Sequence, residues 1–413
     1  KIKFDSSAAQ KIIIAFDEIQ INGEIKARRS GCNDFIMIDC VSGENNFISA
    51  EPYAFKFLQV ISKYPIECDV SCVTYENNRL KPISLKSFDK QTENILEAAK
   101  NTFAQNAVDI FTDCPGRERA GWLCDSYFTA KAELFFTGKN DIEKAFLENF
   151  LIANTPEIDY RLVPECFPAE HKKDGFIPNW AMWFVIEIYD RVQRIGDLDF
   201  ANRAKNKIYG IVDYFSEYKN EYGLLENLDG WVFIEWSISN DDEYVKGVNY
   251  PTNMLYAFML ESAGKLYCDK ALLKESESVR AEIIRRSFNG QFFVDNSVRK
   301  NGELVRCENH ISETCQYYAL FTGIVPNKEF ESLMLYKFGP LRQNAFPDVG
   351  RSNMFIGNYL RFFWLISIGE KQRFLSESIA YFNKMVDLTG TLWEKDSPTA
   401  SCNHGFASVI AYL

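Results

Sequence analysis

A mainly α-helical chain, an (α/α)6 barrel preceded by a partial β-sandwich, is the fold class that the sequence predicts. Three observations predict it. Short apolar runs of period about 2, separated by turn-forming residues, fill positions 1–80; beyond Phe88 the apolar period lengthens to about 3.6; and from there twelve apolar-periodic segments alternate between short and long connections.

The β-like runs come first. Ile12-Ile-Ile-Ala-Phe16, Phe35-Ile-Met-Ile-Asp39, Ala54-Phe-Lys-Phe-Leu-Gln-Val-Ile61 and Cys68-Asp-Val-Ser-Cys-Val-Thr-Tyr75 are bounded by Asn, Gly and Ser-rich turns. They define a β-sandwich domain over 1–80, and Pro82 with the polar stretch to Phe88 forms a linker over 81–88. The helical domain then occupies 89–413, with segments near 88–106, 119–136, 141–152, 180–196, 198–218, 250–265, 268–287, 310–322, 327–336, 352–367, 370–385 and 404–413. Short breaks such as Thr137-Gly-Lys-Asn140, Gly196-Asp197 and Gly369 join antiparallel helix pairs. The longer Gly- and aromatic-rich loops, 153–179, 219–249, 288–309, 337–351 and 386–403, would then gather at one mouth. Six such hairpins are what a closed barrel needs.

Composition narrows the function classes. Apolar residues make up 46% and charged residues 25% of 413, and aromatics reach 15%, which suits deep cores and ring-binding clefts. A net charge of −11 with no basic stripe excludes a nucleic-acid backbone as partner. Only three histidines (His171, His310, His404) are present, and Cys68 and Cys72 lie in a strand-like run, so no metal site or cofactor is expected. Eleven cysteines without paired short spacing point to a reducing compartment, hence the cytoplasm, with a secreted or periplasmic location as the alternative. No window approaches 18 apolar residues, so no membrane partner is expected. The chain starts without Met and stops inside an apolar run, so a fragment truncated near the end of its barrel is expected.

Asp113-Cys-Pro-Gly-Arg-Glu-Arg-Ala-Gly-Trp-Leu-Cys-Asp125 concentrates the chemistry. Pro115-Gly116 signals a turn, and the helical pattern beyond it places Glu118, Trp122 and Asp125 at i, i+4 and i+7, on one face. A carboxylate held against an indole loses solvation and becomes a better general acid. The same residues also fit an exposed helix start whose acids pair with Arg117 or Arg119.

This stretch resembles the Asp-x-Pro-x-Arg-x-Glu-Arg-x-Gly-Trp-x-x-Asp signature of bacterial α-L-rhamnosidases of glycoside hydrolase family 78, with one residue fewer before the glutamate. The resemblance implies an (α/α)6 barrel and a carbohydrate substrate. It makes Glu118 the general acid, lets Asp113, Trp122 and Asp125 hold the sugar, and has Arg117 and Arg119 orient the carboxylates. It continues through Trp180 and Trp183, sugar-contacting aromatics by the same likeness or else barrel core, and through Asp229-Gly-Trp-Val-Phe-Ile-Glu-Trp236. There Trp231 is the implied platform for the 6-deoxy face, and Glu235 stands where the family has Asp. Near the far end Thr389-Gly-Thr-Leu-Trp-Glu394 and Ser401-Cys-Asn-His404 imply Glu394 as general base and His404 as a hydrogen-bonding residue; alone, His404 also reads as a capped helix start. Phe47 to Val60 resembles the last strands of the β-domain that precedes the barrel.

Two carboxylates across a sugar, one protonating the leaving oxygen and one activating water, make an inverting glycosidase. The expected function is therefore removal of terminal α-L-rhamnose. A six-hairpin glycosidase or lyase of other specificity, or a non-catalytic carbohydrate-binding barrel, are the alternatives, since a fold does not fix a reaction. In Glu308–Glu313 a capping role for Ser312 or Asn309 and a ligand role read equally, Asn249–Asn253 reads as a helix start at the same mouth that helps wall the cleft, Asn344–Asp348 reads similarly, and Asp241–Glu243 as solvated loop.

Overall fold

The computed structural model describes residues 1–83, 89–153, 158–168, 176–343 and 345–413. Positions 84–88 of the expected linker, His171 and Asn344 lie outside the described residues. Two compact units share the chain: Lys1–Ala120 with Phe128–Glu143 and Phe382–Tyr412, and Gly121–Tyr127 with Lys144–Tyr381 and Leu413.

In the first unit, β1 (Ile2–Ser6), β2 (Gln10–Asp17), β3 (Gln20–Ile21), β4 (Glu24–Ile25), β5 (Phe35–Cys40), β6 (Gly43–Phe47), β7 (Phe57–Ile61) and β8 (Ile66–Val70) form antiparallel sheets. Their orders are β6-β1-β8, β5-β2-β7 and the β3-β4 hairpin. Alternation decides which residues meet: Ile2 and Phe4 of β1 and Ile12 and Ile14 of β2 share one buried apolar cluster with Cys40. The strand β6 escapes sequence reading because Gly43-Glu-Asn-Asn-Phe47 has no apolar alternation and is a strand only through its pairing with Ile2–Ser6, whereas β1 alternates and is simply too short to single out.

Among the described residues eleven longer helices follow: α1 (Lys90–Asn106), α2 (Asp125–Thr137), α3 (Asp141–Ile152), α4 (Pro178–Ile195) and α5 (Leu198–Ser216), then, beyond the single turn α6 (Asp242–Val245), α7 (Tyr250–Tyr267), α8 (Lys270–Ser287), α9 (Glu313–Phe321), α10 (Lys328–Lys337), α11 (Tyr359–Ser367) and α12 (Lys371–Thr389). Some starts are set by side chains that accept from the first-turn N–H groups: Asp89 for α1, Asp197 for α5, Asn249 for α7, Asp269 for α8, Ser312 for α9 and Asn327 for α10. Asn249 and Ser312 thus take the capping alternative, and Asp241–Glu243 is exposed as expected. Gly196, left-handed at φ 75°, ends α4 by donating its N–H to Val192.

Three local expectations change. The last segment is a 3-10 helix, Gly405–Ala411, packed on α1. A small sheet of β9 (Val248–Asn249), β10 (Asn296–Lys300) and β11 (Glu303–Arg306) occupies loops read as irregular. The helix expected from 119 begins only at Asp125, because Arg119 (φ 54°) and Cys124 (φ 72°) are left-handed and Gly121–Leu123 pair instead with Glu165–Phe167. Glu118, Trp122 and Asp125 therefore share no helical face. Among the described residues no helix is long and apolar enough to cross a membrane.

Candidate active site

The site begins as a closed loop. The Asp113 N–H donates to the Ala120 carbonyl (3.0 Å) and the Ala120 N–H returns to Asp113 Oδ1 (2.9 Å), so the turn Pro115-Gly116 carries Arg117 and Glu118 at its tip. A second strap comes from the far end of the chain. Glu394 and His404 donate their N–H groups to Ser401 (3.0 Å) and Leu392 (2.9 Å), and the Leu392 N–H donates to Thr102 Oγ1 on α1 (2.8 Å).

Gly405 joins the two. Its N–H donates to the Asp113 carbonyl at 2.7 Å, and a Cβ there would sit 2.6 Å from the Thr112 carbonyl oxygen. Only a residue without a side chain allows that approach.

The consequence is a carboxylate pair around one cation. Arg117 Nη2 lies 3.1 Å from Glu118 Oε1 and 3.1 Å from Glu394 Oε2, although 277 residues separate it from the latter. Two oxygens each 3.1 Å from the same nitrogen lie no more than 6.2 Å apart. Glu118 is 38% exposed while Glu394 is 6% exposed and also accepts from the Ser401 N–H (3.3 Å).

Below them Asp113 and His404 are buried, His404 Nε2 standing 4.0 Å from Asp113 Oδ2. Burial first, then the charge of Glu118, pushes the Asp113 carboxyl up to about 7. Burial and the Arg117 charge push the His404 imidazole well below its ordinary range, so it is neutral at neutral pH. Among the described residues Asp113 Oδ2 has no hydrogen-bond partner.

A pH dependence of stability follows. The folded-state value of Asp113 is raised above its unfolded one, so its contribution is full below about pH 4 and is lost as pH rises through about 7. Asp113→Asn keeps the Ala120 bond and removes the titration. Its thermal midpoint should gain on the wild type between these limits, as read by melting at stepped pH. Parallel profiles would refute the shift.

Arg119 departs from expectation. It faces Glu51 (Nη2 to Oε2, 2.6 Å) and the Pro52 carbonyl (3.1 Å), whereas Arg117 faces Glu118 and Glu394.

The second unit holds the other expected residues. Trp231 is 47% exposed, anchored by its N–H to the Phe176 carbonyl (2.9 Å). Trp236, which sequence reasoning did not single out, is 38% exposed with its ring 5.9 Å from that of Trp231, and Phe233 packs edge-on against both. Trp180 and Trp183 take the core alternative. Trp180 is buried behind Phe233 (5.2 Å), and Trp183 has no exposed surface and packs on Tyr127 (4.8 Å) and Phe321 (5.8 Å).

Glu235 is likewise a buried strut rather than a sugar contact. Its carboxylate accepts from Thr314 Oγ1 (2.5 Å), Ser352 Oγ (3.0 Å), and the N–H groups of Asn353 and Gly357 (2.8 Å each). These four donors occupy both oxygens. Asp125 is buried at the first turn of α2 and Trp122 is half-buried, both in this unit.

Comparison with known proteins meets this geometry. Residues 83–336 match the model of the bacterial alpha-L-rhamnosidase six-hairpin glycosidase domain. An alpha-L-rhamnosidase of Formosa agariphila is 21% identical over 248 residues, 57% of this chain and 25% of that protein. Among solved structures, a family GH78 rhamnosidase of Bacillus sp. GL1 superposes with a TM-score of 0.79 at 17% identity, over the whole chain and 44% of the other. A Klebsiella oxytoca rhamnosidase with rhamnose bound gives 0.77 at 17% identity, covering 84% of that enzyme. The chain thus spans a quarter of its curated relative and under half of the Bacillus enzyme. With the family model matched over well more than half its length, the chain belongs to the bacterial alpha-L-rhamnosidase six-hairpin glycosidase family.

Proposed function

We propose that this chain is the catalytic portion of a glycoside hydrolase that removes terminal α-L-rhamnose with inversion, Glu118 acting as general acid and Glu394 as general base. The observation that carries the reading is the Arg117 bridge. One guanidinium nitrogen lies 3.1 Å from a part-exposed carboxylate and 3.1 Å from a buried one, which brings together the two groups that a proton donor and a water-activating base require. Glu118 protonates the glycosidic oxygen as the bond breaks, Glu394 takes a proton from the attacking water, and Asp113 and His404 offer hydrogen bonds to ring hydroxyls. An exposed indole such as that of Trp231, in the second unit, suits the C–H bonds of a 6-deoxy sugar.

The finer architecture belongs to the same reading. The pairing of α1 with Gly405–Ala411 supports a closed (α/α)6 barrel over 89–413, and the two three-stranded sheets sharing one apolar cluster support a β-sandwich domain over 1–80. Eleven cysteines scattered without paired short spacing support a reducing, cytoplasmic compartment.

The 6.2 Å bound applies to the facing oxygens. An inverting pair spans about 6.5–9.5 Å between carboxyl groups, while a retaining pair, with Glu394 as nucleophile, spans about 5–5.5 Å and also fits the bound. Proton NMR of the first-formed product from an aryl α-L-rhamnoside separates them. The β-anomer is expected; the α-anomer would reassign Glu394, and absence of hydrolysis would remove the substrate.

A further inference from the structure

The N-terminal sheets reach the strap that carries Glu394. Asp17 ends β2, Glu18 follows it, and Arg29 lies twelve residues beyond Asp17, in the turn before β5. Arg29 is nearly buried and each part of its fork is used. Nε donates to Asp17 Oδ1 at 2.8 Å, Nη2 to Glu18 Oε2 at 2.7 Å, and Nη1 to the carbonyls of Pro398 (3.0 Å) and Ala400. Glu18 Oε2 in turn accepts the Cys402 N–H at 2.8 Å.

Between these two anchored residues lies Ser401. Its N–H donates to the Glu394 carboxylate and its carbonyl accepts the Glu394 N–H. The backbone on either side of the group that holds the proposed base is therefore clamped by one ion pair from the sheets. Gly116, next to Arg117, closes the circuit, since a Cβ there would lie 4.0 Å from Glu18 Oε1 and 3.7 Å from Ala54. Glu18, Arg117 and Ser401 also line one small void, and among the described residues Glu18 Oε1, Arg117 Nε and Ser401 Oγ are buried with no hydrogen-bond partner.

We propose that Arg29 and Glu18 are positioning residues for Glu394, so that the N-terminal β-sheets set the geometry of the acid–base pair. The proposal rests on the acid–base reading above for its kinetic part and on backbone geometry alone for its structural part. Neither residue has a role in sugar binding in that reading, so their loss should act on kcat rather than KM. It should act on the base side, independently of how good the leaving group is.

The test uses the full chain. Arg29→Lys keeps the charge against Asp17 and Glu18 but cannot fork to Pro398 and Ala400 as well. Amide hydrogen exchange at Ser401 and Cys402 is expected to quicken about tenfold in this variant, with the helices unchanged. On nitrophenyl and alkyl α-L-rhamnosides kcat is expected to fall about 10- to 100-fold for both, with KM within about threefold. Glu18→Gln, read in the same way, serves if Arg29→Lys does not fold. Unchanged exchange at 401–402 overturns the proposal whatever the activity. Wild-type kcat in a chain that hydrolyses the rhamnoside overturns it too, whereas a chain with no hydrolysis but quickened exchange sinks only the acid–base reading.

Discussion

Glu118→Gln is expected to lower kcat on an alkyl α-L-rhamnoside by about 10²–10⁴-fold, the range by which general acid catalysis accelerates such steps. On a nitrophenyl rhamnoside the loss should be much smaller, because nitrophenolate departs without a proton. Glutamine is isosteric but holds no proton to give. Glu118 is 38% exposed and sits at a loop tip, so the substitution should leave the melting temperature unchanged and any rate loss is chemical. Steady-state kinetics on the two substrates is the measurement. Equal losses on both, or turnover like the wild type, would remove Glu118 from the acid role.

Glu394→Gln is expected to lose a similar factor, about 10²–10⁴-fold, on both substrates alike, since water must be activated whatever leaves. Here a stability change accompanies the kinetic one. Glu394 is buried, and its Oε2 accepts from both Arg117 and the Ser401 N–H. An amide there weakens a charged hydrogen bond, at about 1–3 kcal/mol. Denaturant unfolding reads that cost, and the kinetics are compared at a temperature where both proteins are folded. A loss confined to the alkyl rhamnoside would exchange the roles of the two glutamates.

The helices were legible because the information for them is local. Period, a capping Asp, Asn or Ser, and a closing Gly place α4, α5, α7 and α8 to within a few residues of their observed ends. The stretch 113–125 misled for the same reason. Three residues at i, i+4 and i+7 satisfy a helix pattern, but the pattern carries no information about Arg119 and Cys124 turning left-handed, or about Gly121–Leu123 finding a backbone partner at Glu165–Phe167. The tryptophans show a related limit. Trp180 and Trp183 lie on the apolar side of a helix and Trp231 in a loop, yet only packing separates a buried indole from a 47% exposed one.

Arg29 and Glu18 left no signal at all. In sequence they are a turn Arg and an acid beside a strand; their meaning comes from carbonyls some 370 residues away.

The sequence by itself determined that a strand-rich segment precedes a helical one, the hairpin breaks, and the residue types from which an acid–base site could be made. Periodicity, caps and turn residues act over a few positions and are written in them. Tertiary structure alone decided which of those residues meet. Glu118 and Glu394 share Arg117 because Gly405 admits the Asp113 strap and because the 398–402 backbone is held from the sheets. Those contacts join chain positions hundreds of residues apart, and no local pattern encodes a partner at that distance.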